Sequence, residues 1–197
     1  AVNSKDLFGA DAGADGKREP YYTYAKVGVH ATNYGANART ISRALGLTIH
    51  EAEKFQKKWF SIHPGIHSWH RRVEQGVSRT RTISNRFGFR KVFFDRIENV
   101  FNQALAWVPQ STVAINVNTS LIQASALPEV EFLLQVHDSL VFQIPFQNHT
   151  ETLRLLRKAL TVVIPYPDPL TIQYGLAISE KSWGHVEKTE WPTDGKS

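Results

Sequence analysis

Apolar residues recur at helical spacing through most of the first 124 positions, and short apolar runs take over after that. After Pro20, residues 21–34 contain no Gly or Pro except Gly28 and are followed by Gly35, the pattern of a helix and its stop. Residues 40–47 read as a short helix. Thr48-Ile-His-Glu51 has the spacing of a capping box and opens a helix through Trp59 and Phe60. His63-Pro64 ends it, and Ile66, Trp69, Val73 and Val77 form the apolar stripe of a helix over 65–77. Residues 80–94 predict a β-rich excursion around Gly88. A long helical pattern over 95–124 follows, which Pro109 is expected to kink or to divide. Phe132-Leu-Leu-Gln-Val-His137 and Leu140-Val-Phe-Gln-Ile144 predict two strands with Asp138 and Ser139 at the turn between them. Asn148-His-Thr-Glu151 caps a helix to about residue 163, Pro165 to Pro169 is a loop, and 170–178 is a last strand. The first 17 residues, rich in Gly, Ala and Asp, predict a short helix or loop through 6–8 and then a flexible connection.

At 197 residues, 42% hydrophobic and 21% charged, the chain has enough apolar material for a real core. No run of about 18 apolar residues occurs, and the first 30 residues lack the basic-then-apolar order of a signal peptide, so no membrane partner is expected. With no cysteine there is no disulfide or thiolate site, and any metal must sit on oxygen or imidazole ligands. The net charge of +5 permits a polyanionic partner. The chain has no methionine, even at position 1, from which a processed, split or truncated start is expected.

Four groups of residues could carry chemistry. Tyr22, Lys26, His30 and Tyr34 fall on one helix face, giving a cation for phosphate beside rings for a base or sugar. Such a face is also an ordinary exposed stripe. His137-Asp138 lies at the turn of an apolar hairpin, where a carboxylate suits a hard cation such as Mg²⁺; turns commonly hold Asp for conformational reasons alone. Gln110 and Ser111 punctuate an apolar helix; a glutamine there either meets base edges in a minor groove or is a satisfied core residue. Arg79, Arg81, Arg86, Arg90 and Lys91 make the excursion the most basic segment, either a phosphate track or a solvated face.

The order and spacing of these features resemble the family A (DNA polymerase I-like) DNA polymerases along nearly the whole chain. Lys26, His30 and Tyr34-Gly35 stand in the register of the family's fingers motif, and Leu7-Phe8-Gly9 lies where a hydrophobic-Phe-Gly commonly precedes it. Phe87-Gly88-Phe89-Arg90 resembles the family's Gly-Arg loop. Val108-Pro109-Gln110-Ser-Thr-Val-Ala and Leu134-Gln-Val-His137-Asp138 resemble two palm motifs, and 175–183 resembles the closing strand and its Trp. The resemblance implies an α+β polymerase right-hand fold, with a helical fingers subdomain over 1–95 and the C-terminal part of an antiparallel palm over 96–197. It implies Lys26 and Tyr22 toward the incoming dNTP triphosphate, His30 against its sugar and base, and Tyr34 at the templating base. It further implies Asp138 as a ligand of one of two Mg²⁺ ions, Lys26 and Asp138 as the catalytic pair, and His137, Gln110, Arg90 and Lys91 on primer-template DNA.

Three departures shape the expectation. No Asp-Tyr-Ser-Gln-Ile-Glu motif, the family's other metal-binding segment, precedes Lys26. Tyr22 stands where the family has Arg, with Lys17 and Arg18 close upstream as substitutes. Ser139 replaces the usual Glu after His-Asp, and His30 replaces Phe or Tyr, a phage-like variant. The expectation is one part of a split or processed DNA polymerase, active only with a second polypeptide or N-terminal segment that supplies the missing aspartate, the thumb and any exonuclease. The alternatives are a catalytically defective, polymerase-derived DNA-binding subunit and a general nucleic-acid-binding module unrelated to polymerases. The expected location is the cytoplasm of a bacterium or phage-infected cell, with an organelle as the alternative.

Overall fold

A computed structural model describes residues 2–193. Helices α1 (Val2–Phe8), α2 (Tyr21–Asn33), α3 (Ala38–Leu45), α4 (Ile49–Ile62) and α5 (Pro64–Thr80) lead into strands β1 (Thr82–Ser84) and β2 (Arg90–Val92). The long helix α6 (Ile97–Ser125) follows, then β3 (Glu131–Val136), β4 (Ser139–Gln143) and α7 (His149–Ala159). Four short strands close the chain: β5 (Val163–Ile164), β6 (Leu170–Thr171), β7 (Leu176–Ile178) and β8 (Glu187–Thr189). Every sheet among the described residues is an antiparallel pair, so the class is α+β. No helix among the described residues is long and apolar enough to cross a membrane.

The chain forms two compact units. The first runs to Ser84 and resumes over Arg90–Pro109; the second holds Asn85–Phe89 and the chain from Gln110 onward. The units part within α6. A 29-residue helix is long enough to give its first half to one core and its second half to another. Pro109 lies inside this single helix; its missing N–H takes one bond from the ladder but does not divide it.

In the first unit, local signals set the helix ends. The Thr48 hydroxyl accepts from the Glu51 amide at 3.2 Å while the Glu51 carboxylate accepts from the Thr48 amide at 2.8 Å, completing the capping box. Hydrogen bonds from the Thr48 hydroxyl and amide hold the Glu51 carboxyl below its ordinary pKa. Asn37 caps α3, its side-chain oxygen accepting from the Thr40 amide at 2.9 Å, so that helix starts two residues before the predicted position. Pro64 opens α5 at a position where no intrahelical N–H is needed.

Three apolar clusters follow from the stripes. Leu7, Ala25, Val29, Phe55 and Trp59 form one, Ile41, Leu45 and Ala52 a second, and Val73, Val77, Phe93, Val100, Ala104 and Leu105 a third. The predicted α5 stripe therefore serves two of them: Ile66 packs on the first, and Val73 and Val77 are buried in the third. The expected flexible N-terminal connection is instead a 3-10 turn over Gly9–Ala12 with Ala12 fully buried. The buried Ser4 hydroxyl donates to the Gly16 carbonyl, the Lys58 ammonium to the Leu7 carbonyl, and the Arg18 amide to the Ala12 carbonyl at 2.9 Å. Those bonds satisfy the backbone of a segment whose glycines suggested looseness.

In the second unit, Ala124, Val130, Leu153, Leu156 and Leu160 form the core, with Leu140, Phe142, Tyr174, Leu176 and Trp191 packed against it. The buried α6 residues Thr112, Asn116, Ser120 and Ala124 recur every four positions. Asn116 Nδ2 donates to the Tyr174 hydroxyl at 3.3 Å and the Ser120 hydroxyl to the Leu160 carbonyl at 3.2 Å, while Asn116 Oδ1 is buried without a partner. The predicted last strand over 170–178 is corrected to two strands in different pairs: β6 pairs with β5, and β7 with β8. Likewise α7 ends at Ala159, and Val163–Ile164 is a strand. Trp191, whose ring N–H donates to the Tyr174 carbonyl at 2.7 Å, anchors a C-terminal strand that no sequence signal had marked.

Candidate functional site

Helix α2 has a buried back and an open front. Ala25, Gly28, Val29 and Thr32 are buried, while Lys26 and His30 are exposed and Tyr22 and Tyr34 half-buried. Gly28 lets α4 approach: a Cβ there would lie 2.7 Å from the Phe55 ring. The helix ends as a Schellman motif, with the Ala36 amide donating to the Ala31 carbonyl at 2.9 Å and the Gly35 amide to the Thr32 carbonyl at 3.0 Å. Gly35 takes φ +78° to make that turn.

Three side chains from α4 and α5 bolt this end in place. The Trp59 indole N–H donates to Asn33 Oδ1 at 2.8 Å, Gln56 Nε2 to the Ala36 carbonyl at 2.8 Å, and His70 Nε2 to the Asn33 carbonyl at 2.9 Å. Because its partner is a carbonyl, His70 is the Nε2–H tautomer. Its ring lies edge-on to Phe60 and Phe101, and burial pushes its pKa below the ordinary value, opposed by the Asn33 bond and assisted by His67. On the open front, the His30 and Tyr34 rings meet edge to face with centroids 4.4 Å apart. Lys26 stands one turn before that pair. The predicted face is therefore real, and what fixes it is a set of partners, Trp59 buried and Gln56 and His70 half-buried, that the sequence reading missed. Arg18, expected as a stand-in for the family's arginine, lies with its side chain over Gly13.

The β3–β4 hairpin carries the second candidate group. Val136 pairs with Ser139, so the two loop residues are His137 and Asp138 rather than the predicted Asp138 and Ser139. His137 has φ +54°, a conformation that side-chain-bearing residues adopt uncommonly, and its carbonyl accepts from Gln135 Nε2 at 3.4 Å. Both His137 and Asp138 are exposed. Among the described residues no group of three or more His, Asp or Glu is placed to hold a metal ion, and Asp138 alone makes no complete cation site.

Gln110 is exposed on α6, which excludes the satisfied-core reading. Beside it Ser111 accepts from Asn85 Nδ2 at 3.0 Å. Asn85 in turn organises the hairpin tip, its Oδ1 accepting from the Phe87 and Phe89 amides at 3.0 and 3.1 Å. An Asn three residues before a Gly is a recognisable turn signal, and it was the available clue. Arg90 and Lys91 lie on opposite faces of β2: Arg90 is exposed, and the Lys91 ammonium sits 5.2 Å from the Phe93 ring centre.

The family model described as DNA polymerase family A matches residues 18–185. The thermostable DNA polymerase I of Thermus filiformis is 29% identical over 156 residues, 73% of this chain and 18% of that protein. A DNA polymerase of Mycobacterium phage D29 is 25% identical over 175 residues, 86% of this chain and 27% of that protein. The POL domain of Pol1 from M. smegmatis, solved in complex with DNA primer-template and dNTP, superposes with a TM-score of 0.70 at 20% identity over 80% of this chain and 30% of that one. The chain thus spans less than a third of the length of each of these relatives. Strand β8 and Trp191 lie beyond the matched residues.

Proposed function

The chain belongs to DNA polymerase family A, and from that premise we propose that it takes part in template-directed DNA synthesis, the transfer of a nucleotidyl group from a dNTP to a primer 3′-hydroxyl. The observation that supports this most is α2: a helix whose end is held by Trp59, Gln56 and His70 while Lys26, His30 and Tyr34 stay available. A rigid support under a cation and two rings is what a nucleotide-gripping element requires. Lys26 neutralises the triphosphate and the departing pyrophosphate. His30 packs on the incoming sugar and base, Tyr34 meets the templating base, and Tyr22 borders the triphosphate in place of an arginine. Arg90 and Lys91 contact the DNA backbone, and His137 and Gln110 its minor groove, where acceptors common to all base pairs allow geometry to be checked without reading sequence.

Two Mg²⁺ ions in a complete site would activate the primer hydroxyl and offset charge on the leaving group. Asp138 is this chain's ligand for them, exposed at a hairpin tip. The remaining carboxylate, the thumb and any exonuclease come from a second polypeptide or an N-terminal segment, and the assembly works in a bacterial or phage-infected cytoplasm.

The test is calorimetric titration of the chain with dNTP, followed by primer extension in the presence of a polypeptide carrying the second carboxylate. Lys26→Ala is expected to weaken dNTP binding by about tenfold or more, the loss of one charge-assisted contact. Asp138→Ala is expected to abolish incorporation while leaving dNTP binding in place. Unchanged dNTP affinity in Lys26→Ala overturns the assignment of α2. A complete assembly that binds DNA but incorporates nothing supports the defective DNA-binding subunit instead.

A further inference from the structure

The last four carbonyls of a helix have no partner inside it, and the residues that follow are only as fixed as the bonds that replace those partners. At the end of α2 all four are taken up. The His30 carbonyl accepts from the Tyr34 amide at 3.2 Å, and the Ala31 and Thr32 carbonyls accept from the Ala36 and Gly35 amides. The fourth, that of Asn33, accepts from His70 Nε2 at 2.9 Å. Asn33 is also held by its side chain, whose Oδ1 accepts from the indole N–H of the buried Trp59 at 2.8 Å. Two different helices, α4 and α5, therefore grip this one residue at two of its oxygens.

The grip lies beside the rings of α2 and away from its cation. Asn33 directly precedes Tyr34, whose ring meets that of His30 at 4.4 Å between centroids. Lys26 stands seven residues earlier, about 10 Å back along the helix axis. There α2 is held by its own ladder and by the packing of Ala25 and Val29 against Phe55. The two kinds of group also differ in what they demand of their support. Ring contacts depend on orientation, whereas an ammonium on a flexible stem acts as a point charge from many positions. Loosening the end of α2 therefore penalises the rings first.

We propose that Asn33 is a positioning residue for the nucleotide: gripped by Trp59 and His70, it fixes the His30–Tyr34 ring pair and so sets the base-and-sugar share of nucleotide affinity, leaving the triphosphate share to Lys26. This rests on the reading of α2 as a nucleotide-gripping helix and adds a division of labour within it. With the grip intact, the rings are oriented before a nucleotide arrives, and binding loses less side-chain freedom.

The test is calorimetric titration of the 197-residue chain with a dNTP and with inorganic tripolyphosphate, read as the ratio of the two affinities. The parent is expected to bind the dNTP more tightly. Trp59→Phe keeps a ring and removes the N–H; it is expected to lower the ratio about twofold to fivefold, part or all of one net hydrogen bond, with tripolyphosphate affinity unchanged. Asn33→Ala is expected to do the same, and the double variant no more than either, because both remove one bond. His70→Leu is expected to lower the ratio, and His70→Gln, which retains an N–H for the Asn33 carbonyl, to restore it. Circular dichroism verifies that each variant is folded at the titration temperature. A merely structural role would weaken both ligands together and leave the ratio where it was. That outcome overturns the proposal, as does a parent that binds both ligands equally or a ratio unmoved in folded Trp59→Phe and Asn33→Ala. Lys26→Ala, expected to weaken both ligands, keeps the two readings apart. If it weakens neither, the assignment of α2 fails; if it acts as expected while the ratio ignores the grip, only the role of Asn33 falls.

Discussion

Replacing Gly35 with alanine adds one methyl group at a position with two separate demands. Its backbone sits at φ +78°, where a Cβ crowds the following carbonyl at a cost of about 1–2 kcal/mol. Its hydrogen is also the close approach of α2 to α6: a Cβ would lie 2.8 Å from Asn102 Oδ1 and 2.9 Å from Leu105 Cδ1. The Asn102 amide can rotate away at little cost, but Leu105 is completely buried and cannot yield without displacing its neighbours. Overpacking of that kind costs about 1–3 kcal/mol, so Gly35→Ala is expected to lose about 2–5 kcal/mol. Gly46 supplies the control, since it has φ +67° at the end of α3 with nothing within 4 Å of an added Cβ. Gly46→Ala therefore reports the backbone cost alone. Urea unfolding followed by tryptophan fluorescence gives both values, with the denaturant slopes compared to confirm that the same surface is exposed. If the two variants agree within about 0.5 kcal/mol, ordinary surface scatter, the packing argument for how α2 is anchored is wrong.

Two further outcomes follow from the same framework. His70 has a folded-state pKa below its ordinary value, so between those two values the unfolded chain binds the extra proton; stability is full above the unfolded pKa of about 6.5 and is lost as pH falls toward the folded pKa. Unfolding measured from neutral to mildly acidic pH should show that loss, and His70→Phe should flatten it; an unaltered pH profile in the variant would show that another group is responsible. Asn85→Ala leaves the Phe87 and Phe89 amides without their acceptor, at a cost of about 1–3 kcal/mol, and hydrogen exchange at those two amides should accelerate while the α2 amides remain protected.

What was legible in the sequence was what local chemistry decides. The capping box at Thr48, the stop at Gly35 and the two apolar runs around His137-Asp138 each carry their instruction within a few residues, and each produced the expected element. That Lys26 and His30 share one helix face followed from helical spacing alone. The parts not legible depend on partners distant in the chain. Asn33 looked like one more polar residue near a helix end, yet it is joined to Trp59, 26 residues away, and to His70, 37 away. Nothing in residues 9–16 announces that Ala12 is buried. The last strand was misread for a related reason: 170–178 holds enough β-forming residues for one strand, but its two ends pair with different partners, and one of those, β8, has no apolar pattern.

The turn between β3 and β4 shows how a one-residue difference in reading changes the chemistry. Side chains alternate across a strand with a period of two, so the loop residues are released from the pleat while the residues flanking them are committed to a face. With Val136 opposite Ser139, the pair freed from the pleat is His137 and Asp138, and Ser139 is the first residue of β4. The left-handed conformation at His137, tethered through its carbonyl by Gln135, places Asp138 at the second loop position. Ser139, where the resemblance leads one to expect glutamate, is therefore a strand residue. The backbone that presents Asp138 is set by His137 and Gln135, not by the Ser139 side chain. Asp138 is thus the carboxylate that the hairpin leaves on its loop, exposed and outside the pleat.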